Sequence, residues 1–198
     1  MDEIARLQSA LQRPAGESSD FDLNPGIQLP AGHILRPAGV LVPVWASPGG
    51  GARVILTKRA SHLKHHPGQI SLPGGKVEPV DASVQAAALR EAMEEIALPP
   101  GLVDVIGHLP THETVTGFTM TPFLGVIRAD FTPVAEQGEV EEVFTVPLSH
   151  VLDLSRYGVE RRLWMGQWRR YYVVPYGPYY IWGATARILR GLAERAAL

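Results

Sequence analysis

The sequence contains no cysteine among its 198 residues. Without thiols the chain cannot form disulfides, use a thiolate nucleophile or bind a metal through cysteine. It also has almost no excess charge, since 18 Lys and Arg against 20 Asp and Glu give a formal net charge of −2. A nearly neutral chain gives no general electrostatic reason to bind nucleic acid or an anionic membrane.

Long hydrophobic runs are missing as well. No segment approaches the roughly 20 apolar residues that span a bilayer, and the charged stretch Met1 to Arg6 lacks the apolar region of a signal peptide. The lack of cysteine is compatible with a reducing compartment. We therefore expect a cytoplasmic protein that acts on a small-molecule substrate, with no nucleic-acid and no membrane partner.

The length and the 45% hydrophobic content suit one domain with a full core. We expect a helix and an irregular arm over residues 1–34, followed by a single domain over residues 35–198. Ile4, Leu7 and Leu11 have helical spacing before Pro14. This helix is expected to dock on the domain or on a second subunit, so a homodimer stays open.

Strand and helix patterns alternate along the rest of the chain, which predicts an α/β fold with a mixed sheet between helical layers. A turn at Pro48 to Gly51 joins the first two strands into a hairpin. The predicted elements are strands at 38–46, 52–57, 103–109, 122–128 and 143–146, a short helix at 148–154, a hairpin of 162–165 with 168–174, and a helix at 180–196.

The centre of the chain, from Leu72 to Leu98, reads as a glycine turn, a loop and an amphipathic helix. The turn Pro73-Gly74-Gly75 permits backbone conformations and close approaches that other residues do not. If residues 83–97 are helical, one stripe packs and the opposite face carries carboxylates. The packing stripe is predicted to be Ala86, Leu89, Met93 and Ile96, and the carboxylates are Glu91, Glu94 and Glu95.

The positions of these three carboxylates are electrostatically unfavourable within the helix. Their i,i+3 and i,i+4 spacings cost about 0.2–0.5 kcal/mol per pair, and the end of a helix disfavours anions by about 0.3–1 kcal/mol. Only Arg90, four residues before Glu94, is placed to form an ion pair. A solvated polar face is the plain alternative. The concentration of charge instead indicates a bound cation, and oxygen ligands suit Mg²⁺ or Mn²⁺.

A basic segment precedes the glycine turn. Lys58, Arg59 and Lys64 occur with three histidines within nine residues. Arginine binds phosphate through two parallel hydrogen bonds and lysine binds it as a point charge, so these cations are expected to contact phosphates. A basic surface loop is the alternative.

The central stretch resembles the sequence box of the Nudix hydrolases, which places Arg-Glu-x-x-Glu-Glu after a glycine and an acidic residue. This sequence departs from the box in three places. Asp81 stands in place of glutamate, Ala97 stands in place of glycine, and the spacing from Gly75 to Arg90 is one residue longer than in the general pattern. Gly101 remains nearby as a helix terminator. The matching positions are Gly75, Arg90, Glu91, Glu94, Glu95 and Leu98.

The basic segment is similar to a motif that distinguishes the coenzyme A pyrophosphatase branch of that family, and the longer spacing with aspartate also resembles this branch. Three residues are conservative replacements for those of the motif: Ile55 for leucine, Lys64 for arginine and Leu72 for phenylalanine. Lys64 lacks the planar fork of arginine. The matching residues are Leu56, Thr57, Arg59, Ala60, Gly68 and Pro73-Gly74-Gly75.

The resemblance implies a Nudix-type α/β/α sandwich and metal-dependent hydrolysis of coenzyme A, or a derivative, to 3′,5′-ADP and 4′-phosphopantetheine. By analogy, Glu91, Glu94, Glu95 and the Gly75 carbonyl bind Mg²⁺ or Mn²⁺. Lys58, Arg59, Lys64, Gly74 and Gly75 are expected to contact the substrate. A further catalytic acid is sought among Glu136, Glu139, Glu141 and Glu142, with Glu139 as the choice beside the three helix glutamates.

Two alternatives stay open. The substrate is ADP-ribose, NADH or a nucleoside triphosphate in the first, and the chain is a non-catalytic nucleotide sensor in the second. A sensor is expected to lose the box carboxylates, and here all three are present. The aromatic residues between Trp164 and Trp182 are expected to serve core packing or a subunit interface, with stacking on adenine or contact with pantetheine as the alternative.

Overall fold

The computed structural model describes residues 3–27, 32, 34–46, 51–164 and 166–197. The predicted turn at residues 48–50 lies outside these ranges. The helices are α1 Glu3–Leu11, α2 Val84–Ile96, α3 Leu148–Val151 and α4 Gly183–Ala197. The strands are β1 Ser18–Ser19, β2 Arg36–Trp45, β3 Arg53–Arg59, β4 Ile70–Ser71, β5 Gly74–Lys76, β6 Val103–His108, β7 His112–Glu113, β8 Phe118–Ile127, β9 Val140–Pro147, β10 Gly158–Trp164 and β11 Gln167–Val173.

Nine of these strands form one mixed sheet. Strand β2 runs parallel to β8 from the pair Arg36–Phe118 to the pair Trp45–Ile127. Strand β3 is antiparallel to both β2 and β9, which confirms the predicted hairpin of the first two long strands. Strands β10 and β11 form a separate antiparallel ribbon, the second predicted hairpin.

The two faces of the sheet pack against different helices. Along β2, Val40 and Val42 are buried with Leu189 of α4, whereas Leu41 is buried with Ala92 of α2. Side chains alternate between the faces of a strand, so a run that is apolar throughout is explained by burial on both sides. The predicted sandwich of a mixed sheet between helical layers is therefore confirmed.

The N-terminal helix docks on its own chain. Leu7 is fully buried, and Arg195 of α4 donates hydrogen bonds to the carbonyls of Ala10, Leu11 and Arg13 at 2.9, 2.6 and 2.7 Å. These carbonyls lie at and just after the end of α1, where a helix has no following N–H groups of its own. The Ala10 carbonyl also accepts the N–H of Arg13 at 3.2 Å. The domain boundary at residue 34 stays a prediction, as does the homodimer.

Two helices differ from prediction, and several strands begin earlier than predicted, such as β8 at Phe118 and β9 at Val140. The last helix begins at Gly183 and not at residue 180, because bridges of Val173 with Trp182 and of Tyr176 with Tyr179 hold the preceding segment extended. The helix predicted at 148–154 is one α-helical turn, followed by a 3-10 turn at Leu154–Arg156. Within the described ranges, no helix is both long enough and apolar enough to cross a bilayer.

Candidate active site

Helix α2 lies unusually close to the sheet. A Cβ atom at Gly39 of β2 would stand 2.2 Å from the carbonyl oxygen of Val84 and 3.1 Å from Cβ of Ala88, so only glycine fits there. Ser83 precedes the helix as its N-cap, and its side chain accepts a hydrogen bond from the Ala86 N–H at 3.0 Å. These contacts fix the rotation of α2 against β2.

That rotation turns Met93 towards solvent, so the predicted packing stripe is wrong at this residue. Met93 is 46% exposed, while Glu95 is only 5% exposed. Small side chains at Ala88 and Ala92 let the helix approach the sheet, and the face they share includes Glu95. The three carboxylates are therefore not all opposite the packed face, because one of them is buried at its edge.

Glu95 is the most strongly perturbed acid of the site. One carboxylate oxygen accepts the backbone N–H of Gly74, and Oε2 is buried without a hydrogen-bond partner. Burial, reinforced by the nearby charge of Glu91, raises the pKa of Glu95 to about 8, although Arg59 and the Gly74 N–H act in the opposite direction. Desolvation of this size is typical of functional sites.

The glycine turn gives the carboxylates their space. Gly74 has φ of +153°, a conformation that other residues rarely adopt. A Cβ at Gly75 would lie 2.3 Å from Oε1 of Glu91, so that carboxylate rests directly against the backbone of the turn. Burial raises the pKa of Glu91 even though the adjacent Arg90 lowers it. The turn and the helix thus form one site.

Arg90 holds the acidic groups in place. Its guanidinium donates to both carboxylate oxygens of Asp81 at 2.9 and 3.0 Å, to Glu91 at 3.1 Å and to Glu94 at 2.8 Å. The predicted pair with Glu94 is confirmed. Glu94 has a side chain that is 56% exposed, so it forms the outer rim of the site.

Glu139 approaches the site through a loop that covers the end of α2. The N–H groups of Val134 and Glu136 donate to the carbonyls of Ile96 and Glu95 at 3.1 and 3.0 Å, which satisfies groups left open at a helix terminus. The charge of Glu139 acts on both Glu91 and Glu95.

The three other acids of this segment have protein partners. Glu136 accepts the N–H groups of Gly138 and Glu139, and Glu141 pairs with Lys58 at 2.6 Å. Glu142 accepts the hydroxyl of Tyr179. The Glu139 carboxylate makes no hydrogen bond or ion pair within the described ranges, which sets it apart from the other three.

The predicted basic residues are placed differently from one another. The guanidinium of Arg59 lies near Glu95, and its Nε is buried without a hydrogen-bond partner. Lys58 is paired with Glu141, whose carboxylate raises the pKa of Lys58. Lys64 is exposed on the following loop and pairs with no residue that the structure describes. Only Arg59 is brought to the carboxylates.

Sequence reasoning did not single out Arg162, although His66 was one of the three histidines of the basic segment and Trp182 belonged to the aromatic region. The charges of Arg59 and Arg162 both act on His66, and the guanidinium of Arg162 lies over the ring of Trp182 at 5.0 Å. The aromatic region also includes Tyr179, stacked on buried Phe144 at 3.6 Å. Glu160, Arg161 and Arg162 are consecutive in β10, so the sequence held no alternation that could show which of them turns towards Arg59.

Comparison with known proteins identifies the class. The NUDIX domain model matches residues 35–165. Uncharacterised Nudix hydrolases named NudL from Enterobacter sp. strain 638 and Cronobacter sakazakii are each 48% identical over 161 residues, covering 80% of this chain and 81% of the relative. A MutT/nudix family protein from Enterococcus faecalis shares the fold, with a TM-score of 0.53 at 14% identity over 100% of this chain and 75% of that chain. The chain belongs to the Nudix hydrolase family.

Members of this family are pyrophosphohydrolases of small molecules and generally use divalent ions such as Mg²⁺ or Mn²⁺. Within the described ranges, no three His, Asp or Glu side chains already converge as ligands. Arg90 pairs with Glu91 and Glu94. Two observations nevertheless fit a cation. Oε2 of Glu95 is a buried acceptor without a partner, and the missing Cβ of Gly75 leaves room for the Glu91 carboxylate.

Proposed function

We propose that this chain hydrolyses the pyrophosphate bond of coenzyme A or a derivative, giving 3′,5′-ADP and 4′-phosphopantetheine or its acylated form. The observation that carries the proposal is the proximity of Arg59 to Glu95. Arg59 belongs to the motif that resembles coenzyme A pyrophosphatases, and Glu95 belongs to the Nudix box. The residues that suggest the substrate therefore adjoin those that suggest the reaction.

We assign the ion to Glu91, Glu94, Glu95 and the carbonyl of Gly75. When bound, Mg²⁺ or Mn²⁺ supplies charge neutralisation at the bridging phosphates. Glu95 contributes a buried oxygen with no protein partner, and Glu91 contributes a carboxylate held against the turn. Glu94 has to exchange its contact with Arg90 for the ion, and it is the most exposed of the three.

Glu139 is proposed to orient the attacking water and accept its proton. A general base needs a free carboxylate within reach of the reacting atoms. Glu139 has no hydrogen-bond or ion-pair partner among the described residues, and its charge acts on both Glu91 and Glu95. Its backbone is held by Ala60, whose N–H donates to the Glu139 carbonyl at 2.8 Å. Glu91 is the second candidate for orienting this water.

The substrate phosphates are proposed to meet Arg59 first. Its guanidinium balances phosphate charge next to the carboxylates, and the lack of side chains at Gly74 and Gly75 lets a phosphate approach the backbone. Lys64 is exposed on the loop after β3, and we propose that it contacts the phosphates from there. Lys58 contributes only after leaving Glu141, and a partly exposed pair of this kind resists separation by about 1 kcal/mol or less.

The test is turnover of a substrate panel at equal concentration with Mg²⁺ or Mn²⁺, followed by product analysis in ¹⁸O-labelled water. We expect coenzyme A to give 3′,5′-ADP and 4′-phosphopantetheine, with one ¹⁸O atom from water in only one of the two products. We expect no turnover in EDTA. Faster cleavage of ADP-ribose or NADH than of coenzyme A would reject coenzyme A as the preferred substrate. Absence of turnover with every member of the panel would favour a nucleotide sensor.

A further inference from the structure

A group of cations includes Arg59 and extends to residues that are not among the metal ligands assigned above. The charges of Arg59, His65 and Arg162 all act on the imidazole of His66. These residues come from β3, from the loop after it and from β10. Neither His66 nor Arg162 pairs with an acidic residue within the described ranges. Arg59 also lies near Glu95, but His66 and Arg162 have no counter-charge of their own among the described residues. Like charges repel one another, and an anion would relieve that repulsion.

The loop that carries His66 is closed by its own hydrogen bonds. The N–H of Gly68 donates to the Arg59 carbonyl at 3.1 Å, and the N–H of Arg59 donates to the Gln69 carbonyl at 3.0 Å. The Gln69 side chain also hydrogen-bonds to the His66 ring. His66 has φ of 54°, in the left-handed region. The backbone that carries the imidazole is thus held in place before any ligand arrives, which lowers the entropic cost of binding.

Arg162 is held by aromatic rings. Its guanidinium lies over Trp182 at 5.0 Å, and Tyr171 meets the same indole edge-on at 5.1 Å. A guanidinium over an aromatic face keeps its N–H groups at the rim, where they can still bind a ligand. Trp182 immediately precedes α4, and a Cβ at Gly183 would lie 3.9 Å from Nε2 of Gln69. The hairpin, the loop and the start of α4 therefore meet here.

We propose that Arg59, His66 and Arg162 form a second anion subsite, which binds a phosphomonoester of the substrate other than the pyrophosphate that is cleaved. This inference rests on the proposed function for the identity of that group, since the 3′-phosphate is the phosphomonoester of coenzyme A. The subsite adjoins the carboxylates through Arg59, and Trp182 and Tyr171 place flat apolar surface beside it. Its consequence is selection of 3′-phosphorylated nucleotides.

The direct test is calorimetric binding of 3′,5′-ADP and of 5′-AMP, two ligands that differ only in the 3′-phosphate. We expect the wild-type protein to bind 3′,5′-ADP about tenfold more tightly or better, as charged hydrogen bonds allow. Arg162→Ala should remove that preference and leave 5′-AMP binding unchanged. Arg161→Ala is the matched control, because Arg161 neighbours Arg162 and stacks on a different ring, Trp168, at 4.9 Å.

His66→Gly supplies a second, independent variant, since glycine accepts φ of 54° and only the imidazole is lost. It should also reduce the preference for 3′,5′-ADP. Equal binding of the two nucleotides by the wild-type protein, or equal losses in Arg161→Ala and Arg162→Ala, would reject the subsite. Selective 3′,5′-ADP binding that depends on Arg162, without turnover of coenzyme A, would keep the subsite and reject the proposed function.

Discussion

Replacing Glu95 by glutamine should stabilise the metal-free protein at high pH and abolish its activity. The Glu95 side chain is 5% exposed, with Oε2 buried and unpaired, and burial raises its pKa from the ordinary 4.5 to about 8. The folded state therefore keeps this proton to higher pH than the unfolded state does. As a result, the free energy of unfolding declines as the pH rises from about 4.5 through 8.

The magnitude follows from the size of that rise. One pKa unit corresponds to about 1.4 kcal/mol, so a rise from 4.5 to about 8 sets an upper limit of about 5 kcal/mol. Local relaxation and entry of water reduce the measured effect, and we expect about 2–3 kcal/mol at pH 9. Glutamine has nearly the same shape and no charge, so Glu95→Gln escapes this loss.

The assay is urea denaturation in EDTA at pH 4.5, 7 and 9. The stability difference between Glu95→Gln and the wild type should grow with pH. Glu94→Gln is the matched control, because Glu94 is 56% exposed and should show no such growth. A pH-independent difference, or a variant less stable than the wild type at pH 9, would refute the reasoning.

Added Mg²⁺ separates the two roles of Glu95. An ion that binds only the folded state stabilises it by about 2.7 kcal/mol at 100 times its dissociation constant. The wild-type protein should gain this stability together with activity. Glu95→Gln should gain much less and stay inactive. Equal gains in both proteins, or an active Glu95→Gln variant, would remove Glu95 from the ligand set.

Three further substitutions test other parts of the site. Ala97→Gly should raise the free energy of unfolding by about 1 kcal/mol in urea titrations, because Ala97 ends α2 at φ 56° and ψ 32°; unchanged stability would contradict this. Gly75→Ala should lower kcat/KM about 100-fold with the circular dichroism spectrum unchanged, since its Cβ would stand 2.3 Å from the Glu91 carboxylate; normal turnover would place Glu91 elsewhere. Glu139→Gln should lower kcat about 100-fold or more while Glu141→Gln keeps it, and equal activities would exclude Glu139 as the base.

The sheet and the central helix were predictable because their signals are local. Apolar runs of strand length gave β2, β3 and β6, and the glutamates followed by two prolines gave α2 and its end. The pair of Arg90 with Glu94 followed from helical spacing alone. Each of these features depends on residues that are close in sequence, so periodicity and capping rules suffice.

The rotation of α2 was not local information. It depends on Gly39, a residue of a different element, whose missing side chain lets the helix backbone approach β2. Periodicity placed Met93 inside, because methionine is more apolar than alanine, but close packing favours the small side chains of Ala88 and Ala92. The proximity of Arg162 to His66 likewise depends on the tertiary structure, because 95 residues lie between them in the sequence.

The ion pairs of Arg90 determine which carboxylate of the site gains most from binding a cation. Arg90 bonds to Asp81, Glu91 and Glu94, which offsets part of their mutual repulsion. Glu95 receives no arginine hydrogen bond within the described ranges, and it is the acid of the helix whose pKa is raised furthest. A divalent ion has to compete with Arg90 for Glu91 and Glu94, whereas at Glu95 it replaces no salt bridge and displaces only the proton that burial retains. Loss of the Glu95 charge should therefore weaken ion binding more than loss of the Glu94 charge.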